Sequence, residues 1–451
     1  MTGRANGNTK RTLWQDATQL SAAEWLRRLS AAEISSRELV EHVLERIDEL
    51  NPRVNAVVAR DDDAALAAAD AADRARRDGD ARPLLGLPVT VKDSIEVAGL
   101  PSTSGSFARE GFVPDQDATV VARLRAAGAV VVAKTNVPEY TWSYETENVL
   151  HGRTVHPLDP ERTCGGSSGG EAALLAIGAS IAGVGTDGGG SIRVPSHYCG
   201  TAGLRPTAGL VPETGVWPST RDTGMLDMNA VGPMARTVED LALLLPVLAG
   251  ADGVDPFVHD AALAAPPESL RVGFYGEGAV EAAAVCFEHA EEVKPPDVPE
   301  ATELFFALMA ADGGEQARRD LAPAGGRHVP QLAALLENLR PLACDAAGFF
   351  ALVRRMFAFR ARVRAFVAPF DVVIAPVTTG PAPPHGCVPG AETPLESYDA
   401  FNDTHTYSLA GLPVAVVRAG TERGLPVGVQ LVANPFHDRV ALAAAAAVER
   451  A

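Results

Sequence analysis

Residues 164 to 193 read CGGSSGGEAALLAIGASIAGVGTDGGGSIR, so two glycine-rich runs enclose an apolar stretch. Glycine loses more conformational freedom on folding than any other residue, and a dense cluster of it indicates a place where bare backbone is needed. The apolar stretch predicts a helix that begins just after Gly170 and a strand over 181–185. Bare backbone beside a helix can serve a bound phosphate or a nucleophilic side chain.

The residues that follow the glycines do not match those of a phosphate-binding site. The segment GVGTDG at 183–188 matches the dinucleotide pattern G-x-G-x-x-G after a predicted strand. That pattern also needs a helix that opens at the third glycine and an acidic residue about twenty positions further on. Here two more glycines and Pro195 interrupt the helix, and the next acidic residue after Asp187 is Glu213. Neither glycine run is followed by the Gly-Lys-Ser/Thr of a P-loop.

The nucleophile interpretation requires a serine, a base and an oxyanion site. The glycines at 188–190 offer consecutive backbone N–H groups with no side chains in the way, which suits a tetrahedral oxyanion. Ser191, directly after them, is the natural nucleophile, although a tight turn with a capping serine explains this run equally well. Lys92 ends the apolar strand predicted at 87–93 and is a candidate base, because burial lowers the pKa of a lysine. Most lone lysines at strand ends are surface residues.

A histidine base is the alternative to Lys92. Of the ten histidines, only His197 lies near Ser191 in the sequence. A Ser-His-Asp triad can assemble from distant parts of a chain, so the residues alone leave this alternative open. The spacing of His151 and His156 does not match a zinc site such as H-E-x-x-H.

The remainder of the chain predicts strands that alternate with helices. A helix is predicted near 117–127, and apolar runs predict strands over 87–93, 129–134, 181–185, 270–275, 371–376, 413–418 and 427–432. Such alternation is typical of an α/β fold with a mixed, largely parallel central sheet flanked by helices.

The N-terminal region predicts helices that precede the sheet. Ser21 with Glu24 and Ser35 with Glu38 have the spacing of capping boxes. An Ala-rich helix is predicted over 62–77. After the second capping box, apolar residues recur at helical spacing and predict a buried face: Leu39, Val40, Val43, Leu44 and Ile47.

Domain organisation is predicted from composition along the chain. We expect a disordered tail over residues 1–12 and a single domain over 13–451. The stretch 255–345 is rich in Pro, Gly and acidic residues, and we expect it to be a peripheral segment of that domain.

The charge and cysteine content narrow the function classes. A net charge of −18 over 451 residues argues against nucleic acid as a partner, because phosphates need Lys and Arg. The five cysteines have no metal-ligand spacing, and their odd number argues against a disulfide framework. No apolar run has the length of a membrane span, and the polar start MTGRANGNTKRT lacks a signal-peptide core. We expect a cytoplasmic protein that binds no membrane.

Several longer stretches resemble the amidase signature family. The central one is GGSSGGEAALLAIGASIAGVGTDGGGSIRVPSHYCGTAGLRPT at 165–207. The others are GLPVTVKD (86–93), AKTNVPE (133–139), YETENVLHGRTVHPLDPERT (144–163), VGPMARTVEDLALLL (231–245), SLAGLPVAVV and GLPVGVQLV. The resemblance extends over residues 20 to 450 and implies that family's α/β fold and its Ser–cis-Ser–Lys triad.

The resemblance also implies roles for individual residues. By motif position, Ser191 matches the nucleophile, Ser167 the bridging serine after a cis peptide bond, and Lys92 the base. The other matches are the oxyanion-hole glycines Gly188, Gly189 and Gly190, the supporting residues Ser168, Thr186, Asp187 and Arg193, and Thr141 and Trp142 beside the acyl pocket.

The implied function is hydrolysis of a small-molecule amide through an acyl-enzyme on Ser191, with no metal or organic cofactor. The aromatic, uncharged stretch 140–144 favours an aryl or apolar acyl group, and Cys164 with VPETGVWP (211–218) resembles the branch of fatty acid amide hydrolases and fungal-type acetamidases. One alternative is the glutaminase-type subunit of an amidotransferase. Another is a non-catalytic binding protein on the same fold, which the intact triad residues disfavour. A homodimer is a candidate assembly.

Overall fold

The computed structural model describes residues 20–388 and 395–451, and of 395–397 only the backbone. The predicted tail over 1–12 therefore lies outside the described residues, and the single domain over 13–451 stays a prediction. No helix in the described ranges combines the length and the apolar character that crossing a membrane requires.

Helices and strands alternate along the described chain. The strands are β1 (Val57–Ala59), β2 (Pro88–Lys92), β3 (Val130–Thr135), β4 (Glu147–Asn148), β5 (Gly152–Arg153), β6 (Ala182–Asp187), β7 (Ala202–Arg205), β8 (Ala230–Ala235), β9 (Val272–Phe274), β10 (Ala290–Glu292), β11 (Val372–Pro376), β12 (Val414–Glu422) and β13 (Leu425–Ala433). The helices are α1 (Ala22–Ser30), α2 (Ser36–Val54), α3 (Asp62–Arg77), α4 (Thr119–Ala126), α5 (Gly169–Ala176), α6 (Arg193–Cys199), α7 (Val238–Leu248), α8 (Ala279–Ala284), α9 (Ala301–Met309), α10 (Glu315–Leu321), α11 (Pro330–Leu339), α12 (Ala346–Val367), α13 (Asn402–Ala410) and α14 (Asp438–Glu449).

The N-terminal helices form where the sequence predicts them. Ser35 and Glu38 make a complete capping box at the start of α2, and Ser21 caps α1 by accepting a hydrogen bond from the Glu24 amide. The apolar face predicted for α2 is buried, and the predicted Ala-rich helix is α3. Local capping and periodicity therefore suffice for this part of the fold.

The central sheet is mixed, as expected, but less parallel than expected. Within the described residues it has eleven strands in the order β1-β3-β2-β6-β8-β7-β12-β13-β11-β9-β10. Parallel pairs join β3 to β2, β2 to β6, β11 to β9 and β9 to β10, whereas every other neighbouring pair is antiparallel.

Two features account for the antiparallel share. The strands β7 and β8 were not predicted, and both pair antiparallel in the middle of the sheet. The strands β12 and β13 are joined by the two-residue turn Arg423-Gly424, in which both residues have positive φ. A two-residue hairpin makes its strands antiparallel, whereas a parallel pair needs a long crossover connection.

The segment 255–345 has a larger structural role than a peripheral one. Its strands β9 and β10 form one edge of the central sheet, which agrees with a peripheral position. However, its helix α9 contributes Phe305, Phe306 and Met309 to the cavity described below. The expectation of a peripheral segment is therefore incomplete, because α9 also forms part of the cavity wall.

The order of the sheet brings the two glycine-rich runs towards Lys92. The strands β2 and β6 are parallel neighbours, so their carboxyl ends lie at the same edge of the sheet. Lys92 is the last residue of β2, and Asp187 is the last residue of β6. In α/β folds, this edge is where ligands bind.

Candidate functional site

Lys92 is fully buried and is surrounded by oxygen atoms. Its Nζ atom lies 2.7 Å from Ser167 Oγ, 2.7 Å from Thr186 Oγ1 and 3.4 Å from the Thr186 carbonyl oxygen. Burial lowers the pKa of Lys92 to about 7, although the negative charge of Asp187 opposes this shift. A lysine with this pKa is partly neutral near pH 7 and can accept a proton.

The serines of the first glycine run connect Lys92 to the second run. The Gly166–Ser167 peptide bond is cis, which is the geometry that the resemblance implies. Ser168 lies between the two runs: its amide donates to the Ser191 carbonyl at 3.0 Å, and its hydroxyl lies 3.3 Å from the Thr186 carbonyl. The structure therefore brings Lys92, Ser167 and Thr186 into direct contact.

Ser191 lines the same cavity as Ser167. Its hydroxyl has no hydrogen-bond partner among the described residues, and it makes no hydrogen bond to Ser167. The two serine hydroxyls are therefore not hydrogen-bonded to each other in this structure. Hydrogen bonds of this kind are often long in ligand-free sites and tighten only when substrate is bound.

The second glycine run has free backbone donors, but fewer than predicted. The Gly190 amide donates to Asp187 Oδ1 at 2.8 Å and is therefore not free in this structure. The amides of Gly188, Gly189 and Ser191 donate to no acceptor within the described parts of the chain. Three amides therefore remain for an oxyanion.

Asp187 and Arg193 form a fully buried ion pair beneath the glycine loop, and Asp187 accepts hydrogen bonds from the backbone of the loop. Arg193 Nε and Nη2 lie 2.9 Å and 2.8 Å from the Asp187 carboxylate, which also accepts hydrogen bonds from the amides of Ile192 and Arg193. Burial alone would raise the pKa of Asp187, but Arg193 lowers it to about 2. The carboxylate is therefore ionised, and the pair supports the loop rather than taking part in proton transfer.

A compact cavity of about 80 Å³ opens onto Ser167 and Ser191. Both residues predicted for the substrate pocket, Thr141 and Trp142, line it. The other walls are formed by Ser143, Tyr144, Thr186, Gly188, Gly189, Thr220, Met225, Asn229, Phe305, Phe306, Met309, Leu335 and Tyr398. Among these described residues none carries a charge at neutral pH, and most of the larger side chains are aromatic or apolar.

The histidine alternative finds no support in this arrangement. His197 is a buried residue of α6, and its ring nitrogens contact the main chain of Gly428 and Gly380. His405 lies behind the glycine loop, and burial lowers its pKa to about 3. Neither imidazole lines the cavity. Over the described ranges, moreover, no group of three or more His, Cys, Asp or Glu side chains is placed to hold a metal ion.

Several residues of the site were missed from the sequence. Tyr144, predicted only as part of the aromatic stretch 140–144, donates to the Gly189 carbonyl of the glycine loop. His405 contacts the Tyr144 hydroxyl, and Phe305 stacks on His405 with ring centroids 4.3 Å apart. Ser408 and Gln430 accept hydrogen bonds from Arg193. These residues come from distant parts of the chain, and no local spacing marks them.

Comparisons with known proteins show which proteins this chain is similar to. The family model described as Amidase matches residues 38–442. The chain is 35% identical over 476 residues to a glutamyl-tRNA(Gln) amidotransferase subunit of Roseiflexus sp. (strain RS-1), and the match covers 96% of each chain.

Two further proteins are similar over most of their length. Indoleacetamide hydrolase of Bradyrhizobium diazoefficiens is 33% identical over 466 residues, which cover 96% of this chain and 86% of that protein. A solved bacterial aryl acylamidase of the amidase signature family superposes with a TM-score of 0.83 at 26% identity and covers 96% of each chain.

Proposed function

This chain belongs to the amidase family and is an amide hydrolase; from that premise we propose that it cleaves amides with an aryl or apolar acyl group through an acyl-enzyme on Ser191. The observation that supports this substrate class is the uncharged wall of the cavity beside Ser191. Burial of one apolar side chain of substrate is worth about 1.5–3 kcal/mol, which such a wall supplies.

In the proposed reaction, neutral Lys92 removes the proton of Ser167, and Ser167 takes the proton of Ser191 as Ser191 Oγ attacks the amide carbon. The negative charge then forms on the former carbonyl oxygen, where the amides of Gly188, Gly189 and Ser191 donate to it. The relay works in reverse when the C–N bond breaks: Lys92 returns its proton through Ser167 to the leaving nitrogen. A water molecule, activated by the same relay, hydrolyses the ester on Ser191 and releases the carboxylic acid.

Labelling with a fluorophosphonate tests the acyl-enzyme. We expect one adduct on Ser191, and we expect Ser191→Ala to lose both labelling and turnover while its thermal unfolding is unchanged. An adduct that maps to Ser167 or Ser168 would show that the nucleophile is assigned incorrectly.

The second candidate function is a glutaminase-type subunit of an amidotransferase. It is favoured by the 35% identity to the Roseiflexus amidotransferase subunit. A glutamine site, however, must hold an α-carboxylate and an α-ammonium group, and desolvated charges are costly unless they are paired. The described lining of the cavity contains no charged side chain that would pair with them.

The two candidates are separated by substrate preference. With the purified chain alone, we expect kcat/KM for a hydrophobic aryl amide to exceed that for glutamine by at least about 100-fold, because burial of apolar groups contributes about 1.5–3 kcal/mol each. A preference for glutamine, or turnover that requires a second protein, would favour the amidotransferase function.

Two methionine variants test whether the cavity wall sets this preference. Met309 lines the cavity, whereas Met356 is buried elsewhere in the same hydrophobic cluster. We expect Met309→Ala to lower the ratio of kcat/KM for the aryl amide over acetamide about tenfold, which corresponds to about 1.4 kcal/mol. Met356→Ala should destabilise the protein and leave the ratio unchanged.

A further inference from the structure

The peptide unit between Gly189 and Gly190 is held at both of its ends. Its N–H group, from Gly190, donates to Asp187 Oδ1 at 2.8 Å, and its carbonyl oxygen, from Gly189, accepts from the Tyr144 hydroxyl at 2.6 Å. Because a peptide unit is planar, two opposed contacts fix the orientation of the whole plane.

This fixed plane lies between two of the free amide donors. The Gly189 amide belongs to the peptide unit before it and the Ser191 amide to the unit after it. Neither amide has an acceptor among the described residues. A hydrogen-bond donor stabilises a developing negative charge best when it is already oriented towards that charge. The contacts that hold the Gly189–Gly190 peptide plane therefore affect the amides of both Gly189 and Ser191.

Tyr144 is itself held rigidly. Its ring stacks on Phe401 with centroids 3.9 Å apart and an angle of 14° between the planes. Its hydroxyl also lies 2.8 Å from His405 Nε2, and His405 Nδ1 lies 3.1 Å from Thr302 Oγ1. Thr302 lies on α9 and His405 on α13, so both helices support the loop through one tyrosine.

The Gly189 carbonyl can only accept a hydrogen bond, and this determines the direction of the hydrogen bonds that link Gly189, Tyr144 and His405. Tyr144 must donate its single proton to that oxygen, so His405 Nε2–H donates to the tyrosine oxygen. His405 Nδ1 then carries the lone pair and faces the Thr302 hydroxyl, which also lies 3.2 Å from Asn402 Oδ1. Burial raises the pKa of Tyr144 well above its usual value and lowers the pKa of His405, so both groups stay neutral.

We propose that Tyr144 is a positioning residue for the oxyanion loop, oriented in turn by His405 and Thr302. This inference rests on the proposed function, because it assumes that the amides of Gly189 and Ser191 stabilise the oxyanion. Gly189 itself has no room for a side chain: a Cβ there would lie 2.8 Å from both Tyr144 Oη and Phe305 Cζ. The loop and the tyrosine are thus packed as one unit.

The variant Tyr144→Phe tests the proposal, since it removes the hydroxyl and keeps the ring on Phe401. Its matched control is Tyr275→Phe, which also removes a buried hydroxyl with two partners, Asp403 and Tyr407. For Tyr144→Phe we expect kcat to fall about 10- to 100-fold with KM within about threefold, because loss of one oxyanion donor outright costs 10²–10³ in kcat. Tyr275→Phe should keep kcat within about twofold at a similar loss of thermal stability.

A second readout is independent of turnover. A boronic acid that forms a tetrahedral adduct on Ser191 should bind Tyr144→Phe more weakly by the same factor as kcat falls, because the adduct mimics the transition state. Should Tyr144→Phe fail to fold, Thr302→Val replaces it, with an expected fall in kcat of about three- to tenfold.

The proposal is overturned if the folded Tyr144→Phe, or Thr302→Val in its place, keeps kcat and boronic acid affinity within twofold of Tyr275→Phe. It is also overturned if only KM changes. Ser191→Ala serves as the reference: if that variant keeps turnover, the proposed function fails instead, and the two failures are distinguishable.

Discussion

At the scale of single residues, two buried lysines show why Lys92 suits proton transfer. Lys134 is as fully buried as Lys92, but it has a carboxylate partner, with Nζ 3.3 Å from Asp93 Oδ1. Within the described residues, Lys92 has only hydroxyl and carbonyl oxygens at hydrogen-bond distance. A buried charge without a partner is costly, so Lys92 loses its proton more easily than an ordinary lysine.

A pH profile tests this difference. Lysine is neutral above its pKa, so we expect kcat/KM to rise with pH through a limb near pH 7 and to level off above it, in line with a Lys92 pKa of about 7. Lys92→Met should lower kcat by about 10²–10⁴-fold, the usual contribution of general acid–base catalysis. Lys134→Met should reduce stability and leave the position of the limb unchanged. A Lys92→Met enzyme with a near-normal rate would rule out the relay.

At the scale of elements, the first glycine run is explained by the packing of α5. A Cβ on Gly170 would lie 2.5 Å from the Asn136 nitrogen and 2.9 Å from the Ala56 oxygen, which are both main-chain atoms. The helix start therefore lies directly against the backbone that follows β3. Main-chain atoms cannot move aside as a flexible side chain does, so only glycine fits at this position.

The variant Gly170→Ala measures this close approach. We expect it to lower the free energy of unfolding by about 1–3 kcal/mol, the usual cost of overpacking, and to lower activity because Ser167 and Ser168 precede the helix. The matched control is Gly420→Ala, where a Cβ meets no atom within 4 Å. That variant should stay within about 0.5 kcal/mol of the parent in a denaturant titration. Equal stabilities of the two variants would contradict the packing argument.

At the scale of the whole molecule, the candidate site lies where three parts of the chain meet. The parallel strands β2 and β6 supply Lys92 and Asp187, and the glycine loop after β6 supplies Ser191. The cavity wall combines Trp142 and Tyr144, which lie close to the first glycine run in the sequence, with residues of α9 more than a hundred positions after Ser191. The helix α13 packs against α9, and its His405 contacts the Tyr144 hydroxyl. The cavity wall is therefore assembled from segments that lie both near to Ser167 and far from it in the sequence.

Much of the fold and several candidate site residues could be predicted from the sequence alone, because their signals are local. Capping pairs and periodic apolar residues act within a few turns of chain, which is why α2 and α3 begin where predicted. Apolar runs predicted the positions of several strands for the same reason. The glycine pattern indicated Ser191, and the resemblance to the amidase signature family added Ser167; the structure places both at one cavity.

Only the tertiary structure decided the features that depend on contacts between distant segments. The ratio of antiparallel to parallel pairs depends on which strands become neighbours. Glycine interrupts β7, and glycine and proline interrupt β8, so no continuous apolar run marks either strand. The Gly190 amide is taken by Asp187, and the Gly189 carbonyl by Tyr144, through side-chain orientations that spacing does not encode. Motif spacing specifies which backbone groups are present, whereas the packing around them determines which of these groups stay free to act on a substrate.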